Sequence, residues 1–457
     1  MRRQLIRNAM ILTSEKAQMG ELLIEDDLIA RITYYEENGQ SQTASEPDAS
    51  DLEIIDLGGL YLMAGGIDAH VHFRDPGLTH KADMSTESRA ALLGGITSFI
   101  DMPNTNPVTT SWNRLQEKLD MAAEKSAVNY GFNLGATNSN AEEIKQLLAE
   151  GKGKHFGAIK VFMGSSTGNM LVDDKSTLDT LFSITEKNVF IHSEDETTIR
   201  NNMKAAVEKY GDDIPFEQHP FIRSRQACIF STIKALETAM KYGTKLHVLH
   251  VSTAEELQMI QAAKLHNPAI TAETSSNYLW FCDEDYSKMG PAVKCNPAIK
   301  SASDREALIK GLKEGLVDTI GSDHAPHLKE EKDRPYKTCP SGLPSIGQSL
   351  PALLTIAAKN DIELTRIAAV MSENIARIMG IDRRGKLAEG NFADLVAFDP
   401  KETYTLKQED IAYKCGWSPY TGAEFTGKIK KVWVNGTLSV EDGKIISDNS
   451  ARPLEFN

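Results

Sequence analysis

One stretch of the sequence carries more chemical information than any other: Gly65-Gly66-Ile67-Asp68-Ala69-His70-Val71-His72-Phe73-Arg74-Asp75-Pro76-Gly77. Its two histidines, His70 and His72, are separated by one residue and follow a short apolar run. In an extended strand, side chains at positions i and i+2 point to the same face. The spacing therefore predicts two imidazoles directed at one point, and neutral imidazole is a common ligand of zinc-like metals.

Arg74 continues the same alternation, so a guanidinium is expected next to the two imidazoles. A guanidinium fork matches the geometry of a carboxylate or a phosphate. The pattern predicts a metal site with an anion-binding group beside it. The alternative is a chance His-x-His pair on a surface strand, which the glycines and the Arg-Asp-Pro-Gly turn disfavour.

The composition is that of an ordinary globular protein, with 41% hydrophobic and 25% charged residues in a chain of 457. This length suits two or three domains, or one large domain with a small satellite. A net charge of -14 argues against a general nucleic-acid binder or a polybasic membrane protein. The N-terminal apolar run is broken by Arg7 and Asn8, so a signal peptide is not expected. No apolar run reaches about 18 residues, so a transmembrane helix is not expected either. The five cysteines are scattered without a CxxC pair, which favours reduced thiols and a cytoplasmic location.

Short strands are predicted at both ends of the chain. Apolar, strand-like runs occur at 4–12, 20–24 and 28–32, followed by a Ser/Glu/Gln-rich loop at 36–51. Similar runs occur at 394–398, 429–434 and 444–446, with a turn at Asn435-Gly436. Chain termini often lie close together, so residues 1–58 and 381–457 are predicted to form one small composite β-sandwich domain.

Residues 59–380 alternate between apolar, β-prone runs and helix-like segments. Strand-like runs occur at 60–67, 96–102, 129–135, 157–162, 189–192, 246–250, 269–273 and 319–321. Helix-like segments between them include 81–93, 111–125, 141–150, 225–242, 254–266 and 303–315. Eight such units predict an α/β fold, a (β/α)8 TIM-like barrel, which takes ~250 residues or more. The alternative is a doubly wound open sheet, but no Gly-x-Gly-x-x-Gly follows the first strand.

Barrel enzymes carry their chemistry at the C-terminal ends of the strands, and polar residues recur at these positions here. They are His70, His72, Lys160, His192, His250 and Asp323. Taken singly, His192 or His250 also suits a satisfied core position, Lys160 an ion pair or a snorkelling position, and Asp323 a helix N-cap or a turn. A lysine among apolar neighbours on a central strand needs a reason, and a carbamate formed from its amine and CO2 would bridge two divalent metals as a carboxylate does. Asn104 suits a ligand contact and Asp101 a structural role, and the charged run at 329–334 is interpreted as a solvated loop.

Together these motifs resemble the amidohydrolase superfamily and, within it, the dihydroorotase family. The resemblance rests on Asp68-Ala69-His70-Val71-His72-Phe73-Arg74-Asp75-Pro76-Gly77, Met102-Pro103-Asn104-Thr105, Lys160, His192-Ser193-Glu194, His250-Val251-Ser252-Thr253, Asn296-Pro297 and Ser322-Asp323-His324-Ala325-Pro326-His327. It covers nearly the whole chain. It implies a zinc-dependent hydrolase that interconverts N-carbamoyl-L-aspartate and (S)-dihydroorotate in de novo pyrimidine (UMP) biosynthesis.

The resemblance also implies roles for individual residues. The implied ligands are His70 and His72 for the more buried zinc, His192 and His250 for the other, and N6-carboxylated Lys160 for both. Some dihydroorotases use an aspartate for this bridge. Asp323 would bind the first metal and act as the acid/base catalyst. The implied substrate contacts are Arg74, Asn104, Asn296, His327, Ser341 and Gly342. A small-molecule substrate and a homodimer or another homo-oligomer are expected, without nucleic-acid or membrane partners.

One segment departs from the family pattern. Many relatives carry Pro-His-His-Leu after the seventh strand, whereas here the stretch is Ala272-Glu273-Thr274-Ser275-Ser276-Asn277-Tyr278-Leu279. No implied metal ligand lies in it, so activity is expected to survive this change.

Two other functions compete with this interpretation. Another cyclic amidohydrolase, such as a hydantoinase, a dihydropyrimidinase or an allantoinase, would use the same two-metal chemistry. Arg74 argues against it, because an uncharged ring would leave the guanidinium unpaired. An inactive, dihydroorotase-like scaffold protein is the second alternative. Such proteins usually lose metal ligands, and all six are present here.

Overall fold

The computed structural model describes residues 2–36, 52–164 and 170–457. The loop predicted at 36–51 lies outside these ranges except for Glu36. The strands are β1 Arg3–Leu12, β2 Ala17–Glu25, β3 Leu28–Tyr34, β4 Leu52–Asp56, β5 Tyr61–Ala64, β6 Gly66–Val71, β7 Ile96–Asp101, β8 Asn129–Phe132, β9 Leu134–Gly135, β10 Ile159–Phe162, β11 Val189–His192, β12 Leu246–Val248, β13 Thr271–Thr274, β14 Thr319–Ile320, β15 Leu395–Thr405, β16 Glu424–Val434, β17 Thr437–Glu441 and β18 Lys444–Ile445.

The α-helices are α1 Met84–Leu93, α2 Trp112–Lys125, α3 Ala141–Ala149, α4 Lys175–Phe182, α5 Glu196–Tyr210, α6 His219–Ile222, α7 Arg225–Tyr242, α8 Ala254–Lys264, α9 Ser276–Trp280, α10 Tyr286–Met289, α11 Ala302–Glu314, α12 Lys329–Lys332, α13 Ile346–Asn360, α14 Leu364–Ala368 and α15 Asn374–Met379. Short 3-10 turns are Lys152–His155, Phe216–Gln218, Asp283–Asp285, Gly290–Val293 and Gln408–Asp410, and a π-helical turn is Ala369–Glu373.

A closed ring of parallel strands forms the centre of the molecule. The strands β6, β7 and β8 pair in parallel, and β9 to β14 pair in parallel in chain order. Only Asn133 separates β8 from β9, so these two strands together occupy the third position of the ring. The ring closes through a parallel bridge between Val71 and His324, where the amide of His72 donates to the carbonyl of His324 at 2.8 Å. This arrangement confirms the predicted (β/α)8 barrel.

The prediction of one strand over 60–67 is wrong. The strand β5 pairs with β15 in the terminal sheet, and the barrel begins only with β6. The chain crosses between the two sheets at Gly65, where an added Cβ would lie 2.2 Å from Oγ1 of Thr97. No side chain tolerates so close a contact, so glycine is required at the crossing. The apolar run is continuous because residues on both sides of the crossing are buried.

Strands from both ends of the chain form one nine-stranded sheet in the order β18-β17-β16-β15-β5-β1-β2-β3, with β4 beside the first half of β1. The strand β1 changes partner from β4 to β5 at an irregularity around Asn8, whose φ is 54°. The sheet buries an apolar cluster that includes Leu22 and Trp433. Asn435 and Gly436 join β16 to β17 with φ values of 46° and 72°, as a two-residue hairpin turn requires. These features confirm the predicted composite β-domain.

Along the barrel strands, side chains change from apolar to polar. Ala158 and Phe190 lie two residues before Lys160 and His192, and they pack in a buried cluster with Phe456 near the C-terminus. Because side chains two residues apart share a face of a strand, each apolar residue lies beneath its polar partner. The barrel is therefore filled by apolar groups toward the N-terminal strand ends and presents polar groups at the C-terminal ends.

Capped helices follow directly after two of these strand ends. The carboxylate of Asp195 accepts from the amide of Thr198 at 2.9 Å, at the start of α5. The hydroxyl of Thr253 accepts from the amide of Glu256 at 3.1 Å, at the start of α8. A cap of this kind satisfies a free N–H of the first turn and so defines where the helix begins. The loops that follow β11 and β12 are thereby kept short.

Candidate active site

A cavity of about 260 Å³ opens at the C-terminal ends of the barrel strands. Each residue that the sequence assigns to metal or substrate binding lines it: His70, His72, Arg74, Asn104, Lys160, His192, His250, Asn296, Asp323, His327, Ser341 and Gly342. Phe162, Ala325 and Pro340 complete the wall. The structure thus brings the whole predicted set into one place.

Two histidines and an aspartate form a first cluster. The Nε2 atoms of His70 and His72 lie 3.4 Å and 3.2 Å from Oδ1 of Asp323. One ligand atom from each residue lies within 4.8 Å of the others, which is close enough to share a metal ion. The opposite ring nitrogens are held from outside, by Glu273 at 2.7 Å from His70 and by Asn104 at 2.8 Å from His72. Such outer contacts fix the ring orientation of metal-binding histidines.

The electrostatics of this cluster suit metal binding. Burial lowers the pKa of His72 to about 4, so its imidazole is neutral near pH 7. Burial alone would raise the pKa of Asp323, but the adjacent His70 and His72 hold it below its usual 3.8. Neutral imidazoles and an ionised carboxylate are the forms that bind divalent cations.

A second histidine pair lies beside the first cluster. Nδ1 of His192 lies 2.9 Å from Nε2 of His250, and the rings of His70 and His250 are centred 5.2 Å apart. Nε2 of His192 contacts Glu194 at 2.8 Å, and Glu194 also accepts from Arg223 at 2.8 Å. Burial lowers the pKa of His250 well below 6.5, so this imidazole too is neutral. The two facing nitrogens, Nδ1 of His192 and Nε2 of His250, are therefore close enough to bind one ion.

Lys160 reaches the cavity from β10 and is almost fully buried, with 1% of its surface exposed. Its ammonium lies 4.6 Å from the centre of the Phe162 ring. Burial lowers the pKa of Lys160 to about 7, so a large fraction of this amine is uncharged near neutral pH. An uncharged, buried amine beside four imidazoles is unusual and is typical of a functional position.

Arg74 and His327 form the opposite wall. Nε of Arg74 donates to the carbonyl of Pro326 at 3.1 Å, and its terminal Nη2 lies 3.1 Å from Nε2 of His327. The same nitrogen of His327 lies 3.1 Å from the carbonyl oxygen of Ser341. Burial lowers the pKa of Arg74 to about 10, so the guanidinium remains charged near neutral pH. Among the described residues, the buried Oδ1 of Asn296 has no hydrogen-bond partner.

Two buried carboxylates at the site were missed from the sequence. Glu273 contacts His70, and its Oε1 also accepts from the amide of His250 at 3.3 Å. Glu194 contacts His192 as described above. The sequence does contain a signal for both. Each glutamate lies within or directly after an apolar strand, and a glutamate in such a position is rarely buried without a partner. Asp101, interpreted as structural, accepts from the amide of Phe73 at 2.8 Å and from Lys118 at 2.5 Å.

The interpretation of 329–334 as a solvated loop holds for its four exposed residues but is wrong for the conformation of 329–332 and for Lys332. Residues 329–332 form the short helix α12, and Lys332 is 1% exposed. Its ammonium donates to the carbonyls of Lys294, Pro340 and Gly342 at 3.0, 3.1 and 2.9 Å. Pro340 and Gly342 line the cavity, so Lys332 supports its wall from behind.

The segment at 272–279, which departs from the family pattern, makes several hydrogen bonds to its surroundings. Asn277 donates to the carbonyl of Ser322 at 3.0 Å and accepts from the hydroxyl of Tyr420 at 2.9 Å. The hydroxyl of Tyr278 donates to the carbonyl of Pro297 at 2.7 Å. These bonds support the backbone just before Asp323 and just after Asn296.

Two observations concern features outside the cavity. In the parts that the structure describes, no helix is long and apolar enough to cross a membrane. All five cysteines are buried and free: Cys228, Cys282, Cys295, Cys339 and Cys415.

Comparisons with known proteins agree with this geometry. A family profile described as "Amidohydrolase family" matches residues 61–439. The chain is 33% identical over 457 residues to a dihydroorotase of Methanosarcina acetivorans, covering 96% of this chain and 94% of that protein. It is 31% identical over 410 residues to an allantoinase of Streptomyces avermitilis, covering 88% of both. Among solved structures, an L-hydantoinase (dihydropyrimidinase) from Arthrobacter aurescens superposes with a TM-score of 0.91 at 27% identity and covers 100% of both chains.

Proposed function

Because the chain belongs to the amidohydrolase family, we propose that it is a dihydroorotase, a hydrolase of cyclic amide C–N bonds that interconverts N-carbamoyl-L-aspartate and (S)-dihydroorotate in de novo pyrimidine biosynthesis. The observation that carries this choice is the buried guanidinium of Arg74, which lines the same cavity as the metal-binding set. A buried cation is costly without an anionic partner. The ring carboxylate of dihydroorotate supplies that partner, whereas hydantoin and dihydrouracil have none.

Two zinc ions fit the donor set of the cavity. The proposed ligands are His70, His72 and Asp323 for one ion, His192 and His250 for the other, and N6-carboxylated Lys160 for both. In three of the histidines, the ring nitrogen that faces away is held by Glu273, Asn104 or Glu194. Their other nitrogens therefore face the centre of the cluster. Ions bound there would activate a water molecule at neutral pH and polarise the scissile amide carbonyl.

Asp323 is the proposed proton carrier. Its Oδ1 faces Nε2 of His70 and His72, which leaves Oδ2 for proton transfer. In the hydrolytic direction, Oδ2 accepts the proton of the attacking water and passes it to the ring nitrogen as the C–N bond breaks. In the biosynthetic direction the same proton moves back, the ring closes and water leaves. The lowered pKa of Asp323 ensures that it starts as a base in hydrolysis.

The recognition residues orient the ring. Arg74 would pair with the carboxylate, and Asn104, His327, Ser341 and Gly342 line the cavity around it. The unpartnered Oδ1 of Asn296 would accept a ring N–H, since a buried acceptor normally finds a donor. The substrate is thereby held by its charge on one side and by its amide groups on the other.

A rate comparison on one enzyme sample tests this function. Dihydroorotate, dihydrouracil, hydantoin and allantoin are assayed, and the zinc content of the sample is measured. We expect kcat/KM for dihydroorotate to exceed that for the uncharged rings by about 10⁴-fold, as expected when a site is built around one polar group. Preference for an uncharged ring would contradict the proposal.

A second candidate is a hydantoinase, dihydropyrimidinase or allantoinase. The observation in its favour is the TM-score of 0.91 to an L-hydantoinase, together with 31% identity to an allantoinase. Both kinds of relative share the barrel and the reaction class, so the likeness does not distinguish the substrates. The same substrate comparison decides between them.

An inactive scaffold is the weakest alternative, because all six proposed metal ligands line one cavity. Less than about one zinc per chain, with no turnover after zinc and bicarbonate are supplied, would favour it.

We further propose a cytoplasmic homo-oligomer, supported by five free cysteines and by an exposed apolar stripe on α7 formed by Phe230, Ile233 and Met240. Light scattering on the purified protein checks the oligomeric state, and a monomer would contradict it.

A further inference from the structure

The imidazole of His327 lies among four polar groups. Its Nδ1 is 3.0 Å from Nζ of Lys81 and 3.7 Å, beyond hydrogen-bond distance, from Oε2 of Glu331. Its Nε2 is 3.1 Å both from the carbonyl oxygen of Ser341 and from Nη2 of Arg74. Lys81 lies outside the motifs discussed above, in the turn before α1. Its ammonium also pairs with Glu331 of α12 at 3.0 Å, and only 12% of its side chain is exposed.

These contacts define the protonation of His327. An ammonium can only donate, so Nδ1 must accept from Lys81. Nε2 lies equally close to a donor, Nη2 of Arg74, and to an acceptor, the carbonyl of Ser341, so the contact at Nδ1 decides: the proton of a neutral ring sits on Nε2 and is donated to Ser341. Burial and the nearby cations Arg74 and Lys81 lower the pKa of His327 well below 6.5, which leaves one ring proton. The ring is therefore the neutral Nε2–H tautomer.

This tautomer affects Arg74. With a proton on Nε2, His327 offers no lone pair to Nη2 of Arg74, although the two atoms are 3.1 Å apart. In the other tautomer, Nε2 would accept from Arg74 and satisfy part of its fork. Nη2 of Arg74 is therefore available to donate to a ligand only while Lys81 donates to Nδ1 of His327.

We propose that Lys81 is a positioning residue for selection of the substrate carboxylate: it holds His327 as the Nε2–H tautomer and so reserves Arg74 for the anion. Glu331 holds Lys81 in place from α12. This inference rests on the proposed function, because the reserved donor matters only for a substrate with a carboxylate. Lys81 touches no reacting atom in this account and acts through His327.

Binding of a matched pair of probes to the zinc-loaded enzyme tests the proposal. Orotate and uracil share a ring and differ in the carboxylate. We expect Lys81→Met to raise the Kd for orotate and the KM for dihydroorotate about tenfold, with kcat changed less than about threefold. Weak binding of uracil should not change. Lys414→Met is the matched control, because it removes an exposed ammonium paired with Asp83 without a contact to His327.

A spectroscopic readout separates positioning from general destabilisation. In protein labelled with ¹⁵N in its imidazoles, the His327 signal is assigned by its loss in His327→Gln. We expect Nε2–H in the wild type and a mixture of tautomers in Lys81→Met. If that variant fails to fold, Glu331→Gln keeps the ammonium but removes its anchor and should raise the Kd for orotate about threefold. Orotate binding unchanged in Lys81→Met, or Nδ1–H in the wild type, would overturn the inference. Equal affinity of the wild type for orotate and uracil would instead refute the proposed function, while the tautomer measurement still decides the role of Lys81.

Discussion

The two walls of the cavity are built in different ways. The metal wall consists of His70, His72, Lys160, His192, His250 and Asp323. These side chains lie at the ends of barrel strands, which pair along their length and close into a ring. The recognition wall consists of Arg74, Asn104, Asn296, His327, Ser341 and Gly342. It lies on loops, and its segment around Pro340 and Gly342 is held by hydrogen bonds from the buried ammonium of Lys332.

This difference separates reaction class from substrate choice. The barrel ends provide one rigid set of donors, which suits any cyclic amide. Apart from Asn104, which also holds the ring of His72, the loops can change their side chains without disturbing that set. Changes on the metal wall should therefore abolish turnover of every substrate, and changes on the recognition wall should alter which substrate is used.

Lys160→Ala should have the largest effect. It removes the proposed bridge, so activity on all substrates should fall by about 10⁴-fold, as metal polarisation is worth several kcal/mol. Zinc content should fall as well, and acetate or propionate with added zinc should restore part of the activity. Lys187→Ala is the control, because Lys187 is also buried but donates to the carbonyl of Gly153, away from the cavity. A Lys160→Ala enzyme that keeps two zinc ions without added acid would remove the bridging role.

Asp323→Asn should cost less, because zinc stays bound. We expect turnover of dihydroorotate to fall about 10³-fold through loss of the proton carrier. Asparagine is well suited to the backbone here, because φ at this position is 48° and asparagine tolerates that region. Rates are measured alongside zinc content, and a near-normal rate would exclude Asp323 as the acid/base group.

The metal wall could be predicted because its signals are local. A strand and the residues that end it are neighbours in sequence, so His192 could be placed at the end of β11, whose predicted and observed bounds coincide at 189–192. The helix predicted at 225–242 also agrees with α7. The strand predicted at 60–67 failed because two buried strands in different sheets form one apolar run, and only the close approach at Gly65 marks the crossing.

The supports of the recognition wall could not be predicted, because they are distant in sequence. Lys332 belongs to a run of charged residues that looks solvated, and one of its acceptors is the carbonyl of Lys294, 38 residues away. Lys81 contacts His327, which lies 246 residues further along the sequence. No local pattern signals such pairs. The domain boundaries at 58/59 and 380/381 stay a prediction.

Arg74→Met should change the choice of substrate rather than the reaction. Loss of one partner of a buried charge pair costs about 2–5 kcal/mol, so kcat/KM for dihydroorotate should fall on the order of 100-fold. Activity on dihydrouracil should stay the same or rise, because the unpaired cation is gone. Arg74→Lys keeps the charge but not the fork and should recover only part of the loss. An equal fall for both substrates would place Arg74 on the metal wall and break the distinction between the two walls.

Lys332→Met should have the smallest effect and the most specific one. It leaves three carbonyls without their donor, which costs roughly 1.5–3 kcal/mol of unfolding free energy for hydrogen bonds to a charged group. Pro340 and Gly342 should then move, so the KM for dihydroorotate should rise about tenfold while kcat changes little. Zinc content should not change, because no metal ligand contacts this lysine. Lys329→Met is the matched control on the same helix, since its side chain is 59% exposed and its loss should cost less than about 0.5 kcal/mol. If Lys332→Met lowers kcat and zinc content but leaves KM unchanged, then α12 supports the metal wall, and the two walls are mechanically one unit.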